Sequence, residues 1–254
     1  MAGVKESRYS RQEFLPMVGP AGQEKLALAK VLIVGCGALG SNLTNLAGRA
    51  GFGKLVLVDS DLPELSNLQR QVLFDEADVR EGRPKALALA ARMRQINSEI
   101  SYEPHVARVD GSNMADFLAG VDLVLDGTDN METRQVIDRA CLGQGIPWVY
   151  GGVVGAQGNV MTMRPGFGPC LRCLYPELPE PGMLPTADTY GILNSAPAII
   201  AALQVTKAMK LLIEGVQPQR NYDELLHVEL WNLAFRQMRI DRDENCDYCK
   251  GEGK

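Results

Sequence analysis

Two cysteine pairs, Cys170/Cys173 and Cys246/Cys249, have the spacing that most narrows the chemistry open to this chain. Two intervening residues let both thiolates of a tight knuckle reach one ion, and four such sulfurs complete the tetrahedron that zinc takes. Pro169 precedes the first pair and Gly251 follows the second, so both read as turns rather than parts of long helices or strands. Disulfides or two unconnected redox pairs are the alternatives for the same residues. The amino terminus lacks a signal-peptide pattern, which points to a reducing, cytoplasmic setting where a structural zinc site is expected and disulfides are disfavoured. Cys36 and Cys141 sit among small or apolar neighbours and read as buried apolar residues.

The second chemical signal is Gly35-Cys36-Gly37-Ala38-Leu39-Gly40, directly after the apolar run 31–34. A glycine loop that opens a helix offers backbone N–H groups to an anion. Asp59 ends the next apolar run, where a carboxylate can accept hydrogen bonds from ribose hydroxyls. Asp126 and Asp129 close a later one in Asp126-Gly127-Thr128-Asp129-Asn130. These features alone serve a nicotinamide-dependent dehydrogenase equally well. The polar stretch Ser66-Asn67-Leu68-Gln69-Arg70-Gln71 and the segment Gly82-Arg83-Pro84-Lys85 do not belong to that pattern. Lys85 falls in the first turn of a predicted helix, where the macrodipole disfavours a cation unless it faces a polyanion. Arg70 adds a forked donor for phosphate oxygens. Capping boxes at Ser66/Gln69 and Asp129/Glu132, with a solvated Arg70, are the structural alternatives. Together at one sheet edge, these groups point to a triphosphate site.

The elements that must place these residues alternate through the first half of the chain. Strands are predicted at 31–34, 55–59, 102–106, 121–126 and 148–150, with helices at 39–50, 84–97 and 131–142 between them. That order implies an α/β fold with a doubly wound, Rossmann-like, mostly parallel sheet, whose ligands bind beyond the carboxyl ends of the strands. Antiparallel strands at 153–155 and 159–163, joined through Ala156-Gln157-Gly158, extend it. A Pro-rich loop at 176–185, a helix at 198–214 and a hairpin of 225–231 with 235–240 follow, and zinc would tie the carboxyl end back to the middle. The 254 residues, 46% hydrophobic and 22% charged, can bury a large core, and the net charge of −5 argues against a nucleic-acid surface. No uninterrupted apolar run reaches the roughly 18 residues of a membrane span.

The chain resembles the MoeB/ThiF/HesA family, bacterial relatives of ubiquitin-activating enzymes. The resemblance rests on Arg8-Tyr9-Ser10-Arg11-Gln12, the loop Gly35 to Gly40, Val58-Asp59-Ser60-Asp61, Ser66 to Gln71, Lys85, Thr128-Asp129-Asn130 and both knuckles, in family order. It implies one adenylation domain over 1–254: a helical arm at 1–30, a nucleotide-binding half at 31–150, and an antiparallel extension with crossover helix and knuckles at 151–254. The implied reaction is ATP-dependent adenylation of the C-terminal glycine of a small ubiquitin-like sulfur carrier ending in Gly-Gly. By resemblance, Gly35, Gly37, Ala38, Gly40, Ser66, Asn67, Gln69, Arg70, Lys85, Asp129 and Asn130 surround the nucleotide and Asp59 holds the ribose. Asn67, Arg70 and Lys85 contact phosphates, Asp129 binds magnesium, and Arg11 reaches into the partner's site of a homodimer.

Two departures from the family pattern bear on mechanism. Ala38 stands where many relatives carry a third loop glycine. Ala187 stands where relatives that form a covalent thiol intermediate carry cysteine, and no cysteine occurs between Cys173 and Cys246. An adenylation-only enzyme is therefore expected. His105 and His227, the two histidines, are expected on strands or at the surface without catalytic roles. An NAD-dependent oxidoreductase and a non-catalytic, zinc-bound carrier-binding dimer are the alternatives, distinguished by nicotinamide binding and by carrier binding without ATP turnover.

Overall fold

Apolar residues fill every position from Val31 to Val34, which suits a strand buried on both faces. The computed structural model, which describes residues 7–177, 183, 185–216 and 224–249, places this run at the centre of a sheet. In chain order the elements are α1 (Ser10–Glu13), α2 (Gly19–Leu28), β1 (Lys30–Val34), α3 (Ala38–Ala50), β2 (Lys54–Val58), a 3-10 turn (Leu65–Asn67), α4 (Glu76–Glu81), α5 (Lys85–Ile96) and β3 (Ser101–His105). There follow α6 (Met114–Phe117), β4 (Leu123–Asp126), α7 (Met131–Gln144), β5 (Trp148–Val154), β6 (Gln157–Met163), α8 (Leu171–Leu174), α9 (Ala187–Tyr190), α10 (Ser195–Glu214), β7 (Glu224–Glu229) and β8 (Ala234–Arg239). Gly251, and residues 178–182 and 184 of the Pro-rich stretch, lie outside the described residues.

The strands form one eight-stranded sheet in the order β3-β2-β1-β4-β5-β6-β7-β8, parallel from β3 to β5 and antiparallel beyond. Alternation along β1 splits its side chains between two cores. Val31 and Ile33 face the layer with α3, α5 and α10, while Leu32 and Val34 face the layer with α6 and α7. Val34 pairs with Val58 on one side and Asp126 on the other, so the chain leaves β1, β2 and β4 at one level. That is the edge where strand order reverses, the place where open α/β sheets bind ligands.

The mostly parallel sheet with its antiparallel extension is as expected, but some elements differ. The predicted strands 148–150 and 153–155 are one strand, β5, and Gln157 and Gly158 open β6 rather than belonging to a loop. Gly151, in the gap between the two predicted pieces, and Gly158 make room for α10. A Cβ on Gly151 would lie 2.4 Å from the Gln204 side chain, and one on Gly158 would lie 2.4 Å from Ile200. Helix α10 begins at Ser195 because Pro197 sits in its first turn, where the missing N–H would have no intrahelical partner anyway. Among the described residues it is the one helix long and apolar enough to cross a membrane. Here it lies against β5 and β6, with Gln204 donating to the carbonyls of Asp126 (2.8 Å) and Val149 (3.1 Å).

Candidate active site

The level ends of β1, β2 and β4 open into a cavity of about 800 Å³. Its floor depends on close backbone approach. Gly35 takes φ +86°, and a Cβ there would meet the Gly127 carbonyl oxygen at 2.7 Å. Gly40 brings the first turn of α3 so near the loop that a Cβ would fall 1.8 Å from the Gly35 oxygen. Gly40 therefore packs the loop and does not line the cavity, whereas Gly35, Gly37 and Ala38 do. Gly37 is the N-cap of α3 and has no side chain to satisfy the first N–H groups, which leaves them to a ligand. Alanine at 38 does not block that approach, since its side chain belongs to the helix and not to the cap.

Asp59 is held by two backbone donors, Cys36 N–H at 2.6 Å and Asp61 N–H at 2.7 Å. Burial raises its pKa, and those two bonds work against the rise. Lys85 opens α5, as expected, but a carboxylate already answers its charge: the ammonium lies 3.2 Å from Asp61, and the Lys85 N–H donates to the Asp61 carbonyl at 2.9 Å. Arg70 donates from Nη1 to the Ser66 carbonyl at 2.9 Å, while its Nε is buried without a partner among the described residues. Asn67, Arg70 and Lys85 line the cavity. Ser66 and Gln69 are exposed and lie outside it, because the capping box here is Glu64/Asn67 and turns those two outward.

On the β4 side, Asn130 and not Asp129 caps α7, its side chain accepting from Thr133 N–H at 2.9 Å. Asp129 is thereby spared for the cavity and stands exposed at its edge, beside Asn130. Asp126 has a different place from the one its position suggested. It is fully buried, paired with Arg134 at 2.9 Å and accepting from Thr128 N–H and Oγ. Burial opposes the Arg134 charge, but the adjacent carboxylate outweighs it and keeps the guanidinium protonated. Arg134 also donates to the Thr128 and Gly151 carbonyls, so this pair fixes the turn that presents Asp129.

Ala187, the first residue of α9, lines the opposite wall with Thr186 and Asp188. Cys36 is fully buried in the core beneath α3, as expected, and does not line the cavity. Cys141 is buried as expected, and burial pushes both thiols well up. His105 and His227 sit in β3 and β7, bonded to Glu103 and Asn159. Arg11 is exposed on α1, which Gln12 pins to the far end of α3 through the Ala50 carbonyl. The length of α3, about 20 Å at 1.5 Å per residue, separates it from this chain's own glycine loop.

The four knuckle sulfurs converge. Cys170 lies 3.7 Å from Cys173 and 3.6 Å from Cys246, Cys173 lies 3.6 Å from Cys249, and all four fall within 4.8 Å of one another. A disulfide needs about 2.05 Å, whereas a tetrahedron of sulfurs about 2.3 Å from zinc has edges near 3.8 Å. The cluster fits zinc.

The sequence matches the ThiF family over residues 9–249. The chain belongs to the ThiF family. Among its relatives, the SAMP-activating enzyme E1 of Haloferax volcanii is 41% identical over 97% of this chain and 89% of its own length. The sulfur carrier protein ThiS adenylyltransferase of Bacillus subtilis is 43% identical over 94% of this chain and 71% of its own. The crystal structure of E. coli MccB with ATP superposes at a TM-score of 0.82, covering 96% of this chain and 75% of that one, at 24% identity. That likeness establishes a shared ThiF-type fold. Sequence reasoning had passed over Gln71 and Asp61, which line the cavity with the expected residues. Their positions in the motif were visible, but their orientation depends on tertiary packing.

Proposed function

We propose that this chain adenylates the C-terminal glycine of a small ubiquitin-like sulfur carrier protein ending in Gly-Gly, using ATP and releasing pyrophosphate. The observation that carries the reading is the meeting of the open α3 N-terminus with Asp59, Asn67, Arg70, Lys85 and Asp129 in one cavity, in a family whose named relatives are adenylyltransferases of sulfur carriers. Asp59 accepts from the ribose hydroxyls. Asn67, Arg70 and Lys85 donate to phosphate oxygens. The exposed carboxylate of Asp129 suits a hard cation, and Asn130 has relieved it of capping. Magnesium there would neutralise charge on the leaving pyrophosphate.

The carrier carboxylate is ionised at neutral pH, so the step needs no general base. One of its oxygens forms a bond to the α-phosphorus, the bond from that phosphorus to the bridging oxygen breaks, and pyrophosphate leaves with the electron pair. The protein contributes positioning and preorganised charge. With alanine at 187 and both free thiols buried, the acyl adenylate is discharged by a nucleophile from outside the chain. Family membership replaces the oxidoreductase alternative. The protein is cytoplasmic, and Arg11, remote from its own loop, serves the partner's cavity in a homodimer. A monomer in sedimentation that kept full activity would remove that last role.

The test is carrier-dependent ATP–pyrophosphate exchange, measured against a panel of small ubiquitin-like proteins ending in Gly-Gly. At least one should support exchange. Binding of a carrier without ATP turnover would instead make the protein a zinc-bound carrier-binding dimer.

A further inference from the structure

Gln71 closes the Ser66 to Gln71 motif and has no part in the roles assigned above. Its backbone is fixed, the N–H donating to the Asn67 carbonyl at 3.0 Å. Its side chain is only 3% exposed, lines the cavity, and leaves Oε1 buried with no hydrogen-bond partner among the described residues. The NH2 end is turned toward the glycine loop. A Cβ built on Gly37 would find Gln71 Nε2 at 3.8 Å as its nearest neighbour from elsewhere in the chain.

A buried amide oxygen left unmet is costly, and an apolar side chain of the same length would avoid that cost. A ligand on Nε2 would not relieve that oxygen, but with Oε1 buried away from the cavity the NH2 end is the half of the amide turned toward Gly37, where an anionic ligand would meet a donor. Asp59, expected at the ribose, is hydrogen-bonded to the N–H of Cys36, and Gly37 is the next residue along. A ribose on Asp59 therefore places its own 5′-phosphate, the α-phosphate, beside Gly37 and the N–H groups that begin α3.

We propose that the Gln71 carboxamide donates from Nε2 to a non-bridging oxygen of the ATP α-phosphate, the group attacked by the carboxylate. The inference rests on the reading that ATP fills this cavity. Negative charge on those oxygens is redistributed as the fifth bond to phosphorus forms, so a donor already in place acts on the reacting atom itself.

Gln71→Met tests this, because methionine keeps the length and apolar volume and removes both polar atoms. Without nucleotide, the variant should melt at the parent's temperature or above. Carrier-dependent exchange should lose at least ~10-fold in kcat, with a smaller change in the KM for ATP. The two diastereomers of adenosine 5′-O-(1-thiotriphosphate) provide the readout that a structural role would not move. They replace one or the other α-oxygen with sulfur, and the parent's preference between them should change by about 10-fold in the variant, the scale of one hydrogen bond. An unchanged preference overturns the proposal, whatever the rate. So does a variant that unfolds or melts well below the parent, since the amide would then serve the fold. If the parent shows no exchange with any carrier, the proposed function falls. Gln71 is then judged on equilibrium binding of the two diastereomers, which needs no carrier, and an equal preference in parent and variant overturns the inference.

Discussion

The cavity at the strand ends and the cysteine cluster stand at opposite ends of α7. Asn130, at the N-terminus of that helix, lines the cavity, while Arg139 and Leu142, near its C-terminus, border Tyr248 and the knuckles. Both regions gather polar groups from distant parts of the chain, but they satisfy them differently. In the cluster the sulfurs face one another, and the supporting carboxylate of Asp138 is buried and accepts from Trp148 Nε1 (3.3 Å) and Leu171 N–H (3.2 Å). In the cavity, the α3 N-terminus has no side-chain cap, and Arg70 Nε and Gln71 Oε1 are buried without partners among the described residues. Four sulfurs closed around one ion stabilise the fold, whereas an uncapped helix N-terminus beside an unpartnered guanidinium nitrogen is placed to meet an anion.

That contrast is broken most severely at the cluster. The parent should hold one zinc per chain, and Cys170→Ser should lose it and lower stability by several kcal/mol, since metal binding there would be folding free energy. ATP affinity of the fraction that remains folded should be little changed. Elemental analysis, thermal melting and nucleotide titration check this together. A zinc-free parent of full stability, or a variant that selectively loses ATP, would erase the distinction between the two ends of α7.

At the cavity the expected effects fall on rate. Arg70→Ala, Lys85→Ala and Asp129→Ala should each keep zinc and a near-parental melting temperature yet reduce pyrophosphate exchange by at least ~100-fold, the scale of losing one preorganised charged group. Lys85→Ala also strands Asp61, whose side chain is exposed enough for water to take over the interaction. Exchange at the parental rate in all three would detach these residues from the chemistry.

Asp59 belongs to both categories, since it ties the loop together and is expected to hold ribose. Its carboxylate uses both oxygens on backbone N–H groups, so Asp59→Asn turns an NH2 against one of those donors. ATP affinity should fall by ~10-fold, as for a hydrogen bond to a charged group. The pH dependence follows from burial. The native state raises the Asp59 pKa above its ordinary 3.8 and so binds that proton more tightly than the unfolded chain. Stability of the parent relative to the variant should therefore grow as pH falls through the raised pKa toward 3.8, and decline as pH rises through the same window. Denaturant midpoints for the two proteins across that range, which cancel the titrations they share, measure it. A flat difference would mean that Asp59 is not desolvated.

What could be read from the sequence, and what could not, divides along the same physical line. The central strands were legible because β1 and β2 are apolar at nearly every position, a pattern that burial on both faces demands. The cysteine cluster was legible because metal geometry constrains local spacing. Strand β5 was misread as two pieces because Gly151 answers to Gln204 of α10, an element that begins more than 40 residues later and that local propensity cannot register. The sequence offers Asp129 with Glu132 as the capping box at this helix start. The structure makes Asn130 the cap instead, because its side chain reaches Thr133 N–H one residue further along. Gln71 was passed over because nothing local distinguishes a buried amide from a solvated one.

The smallest expected effect concerns the thiols. A covalent relay needs a thiolate that is open and favoured by its surroundings. Cys36 and Cys141 are both buried, and desolvation holds both pKa values up, with Asp59 adding to the effect at Cys36 and Asp138 at Cys141. Ala187, the position where the family resemblance leads one to look for a reactive cysteine, lines the cavity and carries no thiol. A Cys36→Ala, Cys141→Ala double variant should therefore still support pyrophosphate exchange, within ~10-fold of the parent, with a stability loss of about 1–2 kcal/mol for the two small voids. In the parent, carrier and MgATP should yield acyl adenylate with no carrier attached to the enzyme. Intact mass under non-reducing conditions decides it. A carrier-sized increase that reductant or hydroxylamine removes would place a thiol in the reaction, and the double variant would show whether it is one of these two or a member of the cysteine cluster. In that last case the two ends of α7 would share the chemistry.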